Sequence, residues 1–237
     1  MKFTSTLRLL TGLGVAGIGF ASLSGCAYLG GALAPPEKPP VAAEPAPEAS
    51  VTDAATEADG DTAVAITANP YLANPKPVAA NVEQLFANAL ELHRKKNWAE
   101  AEFAWTELTV TAPELSGPYL NLGIVFEATD RPEAAAQAYQ QAIDANPLNI
   151  DAYNQLAILK RKAGQFQAAE QLYLQALSVW PDSAISHRNL AILYDLYMGK
   201  LSEALAHYEQ YQSLASEPDP ALKGWISDLR RRLDRNS

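Results

Sequence analysis

The chain has one thiol. Cys26 closes the run Leu23-Ser24-Gly25-Cys26, and a thiol behind two small residues is a nucleophile on thin backbone, open to a modifying enzyme. A single cysteine excludes an intramolecular disulfide and a cysteine-based metal cluster. The remaining chemistry-bearing residues do not converge. His93, His187 and His207 are dispersed, none at ligand spacing from another, and His187 takes an aromatic packing position. There is no Gly-rich phosphate loop, no zinc spacing and no grouping of serine, histidine and acid above chance. The sequence therefore predicts no enzyme, no metal, no cofactor and no small-molecule substrate, only one residue poised for covalent modification.

The segment that presents this cysteine is an address. Lys2 and Arg8 give a positive start, and Leu9 to Leu23 is mostly apolar. About 15 residues is short for a bilayer span, which needs roughly 20, and suits a secretory h-region. The ending resembles the lipobox of bacterial lipoproteins. That resemblance implies diacylation of the Cys26 thiol, cleavage before it (so that 1–25 is a signal peptide) and acylation of the new amino group. Several acyl chains anchor stably where one is marginal. Residue 27 is Ala rather than Asp, which by resemblance to enteric sorting rules implies the outer membrane, facing the periplasm. The alternatives are an uncleaved anchor or an ordinary signal peptide with a chance cysteine.

Residues 26–81 then change character. Nine prolines lie between Pro35 and Pro77, with many alanines and scattered acids. Such a composition buries too little surface to offset its chain entropy, so it reads as a disordered linker. As a coil it spans on the order of 40 Å, and fully extended at ~3.1 Å per residue roughly 170 Å. Near its end stand Asn69-Pro70-Tyr71-Leu72 and Asn74-Pro75-Lys76-Pro77, a turn-rich stretch that is either a plain linker end, a docking peptide or a piece that packs on the first repeat. Net charge is −9 and the pI near 4.8. This argues against nucleic acid as a partner, since phosphate contacts need a basic surface.

Beyond residue 81 the chain is periodic. Pro113, Pro147 and Pro181 stand 34 residues apart, Leu122 repeats as Leu156, Tyr139 as Tyr173, Ala135 as Ala169 and Ala142 as Ala176. A period of 34 with these residue types is the mark of helix-turn-helix units in an array. Four units lie at 82–115, 116–149, 150–183 and 184–217, and they resemble the tetratricopeptide repeat family. The resemblance implies an all-α superhelical solenoid of about four repeats, each two antiparallel helices, that binds other proteins. Small residues at Gly123, Ala135, Ala157 and Ala169 let paired helices approach, larger ones fill between neighbours, and the prolines close each second helix. No unit buries its apolar face alone, so the array stands as a stack.

The outer units depart from the pattern. Leu108 stands in the first where a small residue is usual. In the fourth, Tyr194 to Ala204 is one residue longer than the pattern, which predicts a longer turn at Met198-Gly199-Lys200. After Pro218, Leu222, Trp225, Ile226, Leu229 and Leu233 recur at helical spacing. Residues 218–237 thus read as a capping helix and tail with a basic outer face at Lys223, Arg230, Arg231 and Arg232. Those bases solvate the cap, or else meet an acidic partner or anionic headgroups.

In the family, first helices line the concave surface, which places a candidate partner groove here. Its ninth positions are Leu90, Ile124, Ile158 and Ile192, its fifth Phe86, Leu120, Asn154 and Arg188, and its twelfth His93, Glu127, Arg161 and Asp195. An apolar stripe with charge toward its second half suits an amphipathic helix or extended peptide. The alternative is that the aliphatics tuck under neighbouring helices. Chaperone-binding members hold a terminal carboxylate with lysine and asparagine at the fifth and ninth positions, where this first unit has Phe86 and Leu90, so that clamp is missing.

Anchor, linker and array together predict a membrane-anchored scaffold or adaptor for protein partners of a bacterial envelope complex. The layout is similar to the repeat lipoproteins that assist type IV pilus secretin assembly and to those that recruit cell-wall hydrolases, and the residues do not choose between them. The second reading is a periplasmic carrier or chaperone that takes extended peptides or lipids in the groove.

Overall fold

The computed structural model describes residues 66–73, 77–215 and 219–236. Cys26, the signal segment and most of the linker lie outside them. Among the described residues all regular structure is helical: α1 (Pro70–Ala73), α2 (Ala80–Arg94), α3 (Trp98–Thr111), α4 (Ser116–Ala128), α5 (Pro132–Ala145), α6 (Ile150–Lys162), α7 (Phe166–Val179), α8 (Ala184–Leu193) continued by a π-helical turn (Tyr194–Met198), α9 (Leu201–Leu214) and α10 (Pro220–Asn236). Within these residues no helix is long and apolar enough to cross a membrane.

The helices pair in sequence, α2 with α3, α4 with α5, α6 with α7 and α8 with α9, and each pair packs on the next through its neighbouring helices. Punctuation explains the breaks. Ala112, Asn146 and Trp180, each just before a repeat proline, hold φ of −139°, −152° and −138° with ψ of 67°, 102° and 95°. A following proline disfavours helical backbone at that residue, so each second helix stops there. Two of the first helices that follow, α6 and α8, start on side-chain caps, the Asn149 side chain accepting from the Ala152 N–H and the Ser183 side chain from the Ser186 N–H.

One aromatic per repeat centres the core. Trp105, Tyr139, Tyr173 and Tyr208 occupy the same place in the four second helices and are fully buried, beside Ala101, Ala135, Ala169 and Ala204. Burying each ring contributes on the order of 2–3 kcal/mol. The facing first helices carry Ala89, Gly123, Ala157 and Ala191, all buried. Leu108, the large residue at a usually small position, is buried without exposure. It takes its place in the first repeat's core with Trp105 and Val82.

Two expectations change. The linker reading does not hold through residues 66–73, which include α1, and the first repeat's opening helix, α2, begins at Ala80, before residue 82. The extra residue of the fourth unit is not spent in a turn at Met198-Gly199-Lys200. It is absorbed by the π-helical turn Tyr194–Met198, after which Gly199 (φ 66°) reverses the chain and its successor Lys200 donates its N–H to the Tyr194 carbonyl at 3.0 Å. A π turn takes in one more residue than an α turn, so α9 keeps its register.

Candidate functional site

The first-helix surface changes along the array. At the ninth positions Leu90 is 49% exposed, Ile124 and Ile158 are half-buried, and Ile192 is 6% exposed. The aliphatic row is therefore open in the early repeats and closed in the fourth, where Ile192 joins the core with Leu222 and Ile226 of α10.

The fifth positions show the same trend. Phe86 and Leu120 are half-buried, and Phe86 packs edge-on against Trp105 with ring centroids 4.9 Å apart. Asn154 is buried and donates to the Ile150 carbonyl at 3.1 Å and to Ser186 Oγ at 2.8 Å, so it ties the third unit to the fourth. Arg188 is half-buried, its guanidinium 5.8 Å from the Tyr211 ring.

At the twelfth positions the charges are held across repeats. Glu127 accepts from Tyr139 Oη at 2.7 Å and from Lys162 Nζ at 2.9 Å. Arg161 lies over the Tyr197 ring, 5.4 Å from its centroid. Asp195 is buried and accepts from Arg232 of α10 at 2.6 Å. His93 sits edge-on to Trp98 and Trp105, and burial lowers its pKa. Asn154, Ile192 and Asp195 thus face neighbouring helices here, while Phe86, Leu90, Leu120, Ile124, Glu127, Ile158, Arg161 and Arg188 keep exposed surface.

Two features were not legible in the sequence. The first is a strap. Thr67 donates from its N–H and its Oγ1 to the Asp182 carboxylate at 2.7 and 2.6 Å, and Trp180 Nε1 donates to the Thr67 carbonyl at 2.8 Å. Further along, Ser116 Oγ donates to Tyr71 Oη at 3.2 Å. The linker end therefore runs past the starts of α8 and α4, from the end of the third repeat (Trp180 and Asp182) to the start of the second (Ser116). Of the three sequence readings for this stretch, packing on the array is the one realised, on later repeats rather than the first. Thr67 holds the Asp182 carboxyl below its ordinary pKa.

The second is a histidine pair. His187 and His207, read from sequence as unpaired, stand Nδ1 to Nδ1 at 2.8 Å, and His187 Nε2 meets the Pro181 carbonyl at 2.9 Å. The hairpin of α8 and α9 closes the 20-residue gap. Burial, with the neighbouring His187, takes His207 from its ordinary value of 6.5 to about 4. Burial lowers His187 as well. Among the described residues no group of three or more His, Cys, Asp or Glu is placed to hold a metal ion.

Comparison with known proteins agrees with the fold of paired helices. Two family models, each described as tetratricopeptide repeat, match residues 148–217, and 86–150 with 120–159. A search of curated protein sequences finds no match. Among solved structures, the chain is similar to PilF of Pseudomonas aeruginosa, at TM-score 0.57 and 18% identity, over 65% of this chain and 69% of that one. It is also similar to MamA from Desulfovibrio magneticus RS-1, at TM-score 0.56 and 14% identity, over 67% and 88%. A further MamA crystal structure gives TM-score 0.50 and 22% identity, over 56% and 73%. At these identities the likeness is one of fold.

Proposed function

This chain belongs to the tetratricopeptide repeat family, and on that premise we propose that it is a scaffold or adaptor in a bacterial cell-envelope complex. A lipid on Cys26 holds it at the outer membrane, the proline-rich linker gives it reach into the periplasm, and the array binds a protein partner. The observation that carries this reading is the row Leu90, Leu120, Ile124 and Ile158. These aliphatic side chains of α2, α4 and α6 remain partly open after the core is filled. Glu127, Arg161 and Arg188 stand beside that row as the charged flank. An amphipathic helix or extended segment with apolar anchors matches such a surface.

The test is cross-linking in cells from a photoreactive residue at position 120. One dominant, saturable protein adduct is the expected result. A diffuse set of unrelated extended polypeptides, or lipid adducts alone, overturns the scaffold in favour of a carrier. The anchor is tested separately by Cys26→Ser, which should move the protein out of the membrane fraction. Processed Cys26→Ser protein that stays wholly in membranes refutes the anchor and leaves the binding surface untouched.

A further inference from the structure

The two ends of the array differ in charge, and each end has a shallow groove. The first groove, about 360 Å³, lies between α2 and α3, with Leu92, Phe103 and Ala104 as its apolar part and Glu100 and Glu107 beside them. The second, about 410 Å³, lies between α9 and α10, with Ile226 at its base and Lys223, Arg230 and Arg231 around it against one acid, Asp234.

Packing does not account for the first groove. Phe103 is 74% exposed and Val110, two turns further on the same face, is 78% exposed. At the matching positions the second unit has Gln137 and Asp144, the third Gln171 and Ser178, and the fourth Ala206 and Ser213. Glu100 and Glu107 likewise match Ala134 and Gln141, then Ala168 and Gln175, then Glu203 and Gln210. A protruding aromatic between acids is thus a property of the first repeat alone. No salt bridge holds Glu100 or Glu107 among the described residues.

We propose that the α2–α3 end of one chain docks head to tail on the α9–α10 end of a second copy, with Phe103 seated toward Ile226 and Glu100 and Glu107 facing Lys223, Arg230 and Arg231. Charge complementarity selects this occupant. For the acidic α2–α3 groove the chain's own linker is a poor occupant, since residues 27–65 carry seven acids and the single base Lys38 and would be repelled there. Arg230 and Arg231 each hold one intrachain carboxylate, Glu209 and Asp228, yet their side chains are 61% and 72% exposed. A guanidinium has donors to spare for a second acceptor. The contact is heterologous, so it closes into a ring or propagates. It uses neither the first-helix row nor the lipid, and stands apart from the scaffold reading.

The test is sedimentation of the full chain in nonionic detergent. The native mass should rise with protein concentration at ~50 mM salt and fall toward one chain at ~500 mM, where screening is short-ranged. Glu100→Lys/Glu107→Lys and Lys223→Glu/Arg230→Glu/Arg231→Glu should each weaken self-association at least about tenfold, and their equimolar mixture should restore it. Phe103→Asp, at an exposed position that leaves the fold intact, should weaken it as well. A native chain that stays single at every concentration overturns the proposal. So does self-association that Phe103→Asp leaves unchanged, or a charge-swapped mixture that fails to recover.

Discussion

The Tyr139 ring lies against the backbone of Gly123, and a Cβ placed there would fall 2.4 Å from Tyr139 Cε1. The ring is fully buried, and its hydroxyl is tied to Glu127, so it has little freedom to retreat. Gly123→Ala should lower stability by about 1–3 kcal/mol, the usual cost of overpacking, read as an earlier urea midpoint. An unchanged midpoint would show that the ring moves freely. At the same place the third unit has Ala157 against Tyr173, whose pKa burial pushes up to about 12. The pairing of a small residue with an aromatic was legible from the period, but the tighter fit in one repeat was not, because it depends on where the hydroxyl is tethered. The histidines make the same point more sharply. His187 and His207 stay neutral in the fold at a pH where the unfolded chain takes up protons. Stability is then fully present above the ordinary histidine value of 6.5 and is lost as pH falls toward about 4. The thermal midpoint should drop between pH 7 and pH 5, and His207→Leu should flatten part of that drop, with His93 accounting for a share of what remains. A midpoint that is level over this range would contradict the assignment. Glu102, Glu170 and Asp182 have lowered pKa values, and their contributions fade at lower pH, below the unfolded carboxylate range.

Helix-to-helix turns repeat a single backbone device. Lys96 and Asp130 hold φ of 58°, Gly164 74° and Gly199 66°, one left-handed residue at the same place in each of the four units. For an L residue with a side chain this conformation costs roughly 1–2 kcal/mol. Lys96→Gly should therefore raise the urea midpoint of the chain, and Gly199→Val should lower it by more, since a branched side chain is strained there. A Lys96→Gly chain less stable than native would mean that the lysine side chain repays its strain. The prolines made the ends of the second helices readable, because a ring that blocks helical backbone acts locally. Where the fourth unit hides its extra residue was not readable. An added residue fits a loop or a π turn equally well by count, and the choice is made by packing. Tyr197, lifted by that turn, lies over Arg161 and 5.1 Å from the Phe166 ring.

Across the whole molecule the sequence pattern specified a stack of four helix pairs and a cap, since a repeat that cannot bury its own face dictates its neighbour. It also made the first-helix row legible as candidates, because position within a repeat is preserved by the period. How far each residue stays open depends on contacts between elements far apart in the chain. Arg232 of α10 reaches back to Asp195, and Leu222 and Ile226 of the same helix pack with Ile192. These close the later part of the row and leave Leu90, Leu120, Ile124 and Ile158 as the accessible stretch. The central claim is that this stretch carries partner binding, and its most direct test is quantitative co-purification. The full chain and its Leu90→Asp/Ile124→Asp variant would be isolated from membranes and their bound proteins compared by mass spectrometry, with far-UV circular dichroism as the check on folding. A loss of at least about tenfold in one partner, with the helical signal intact, is the predicted result, as expected when central apolar anchors are removed. Equal recovery of that partner by a folded variant would contradict it.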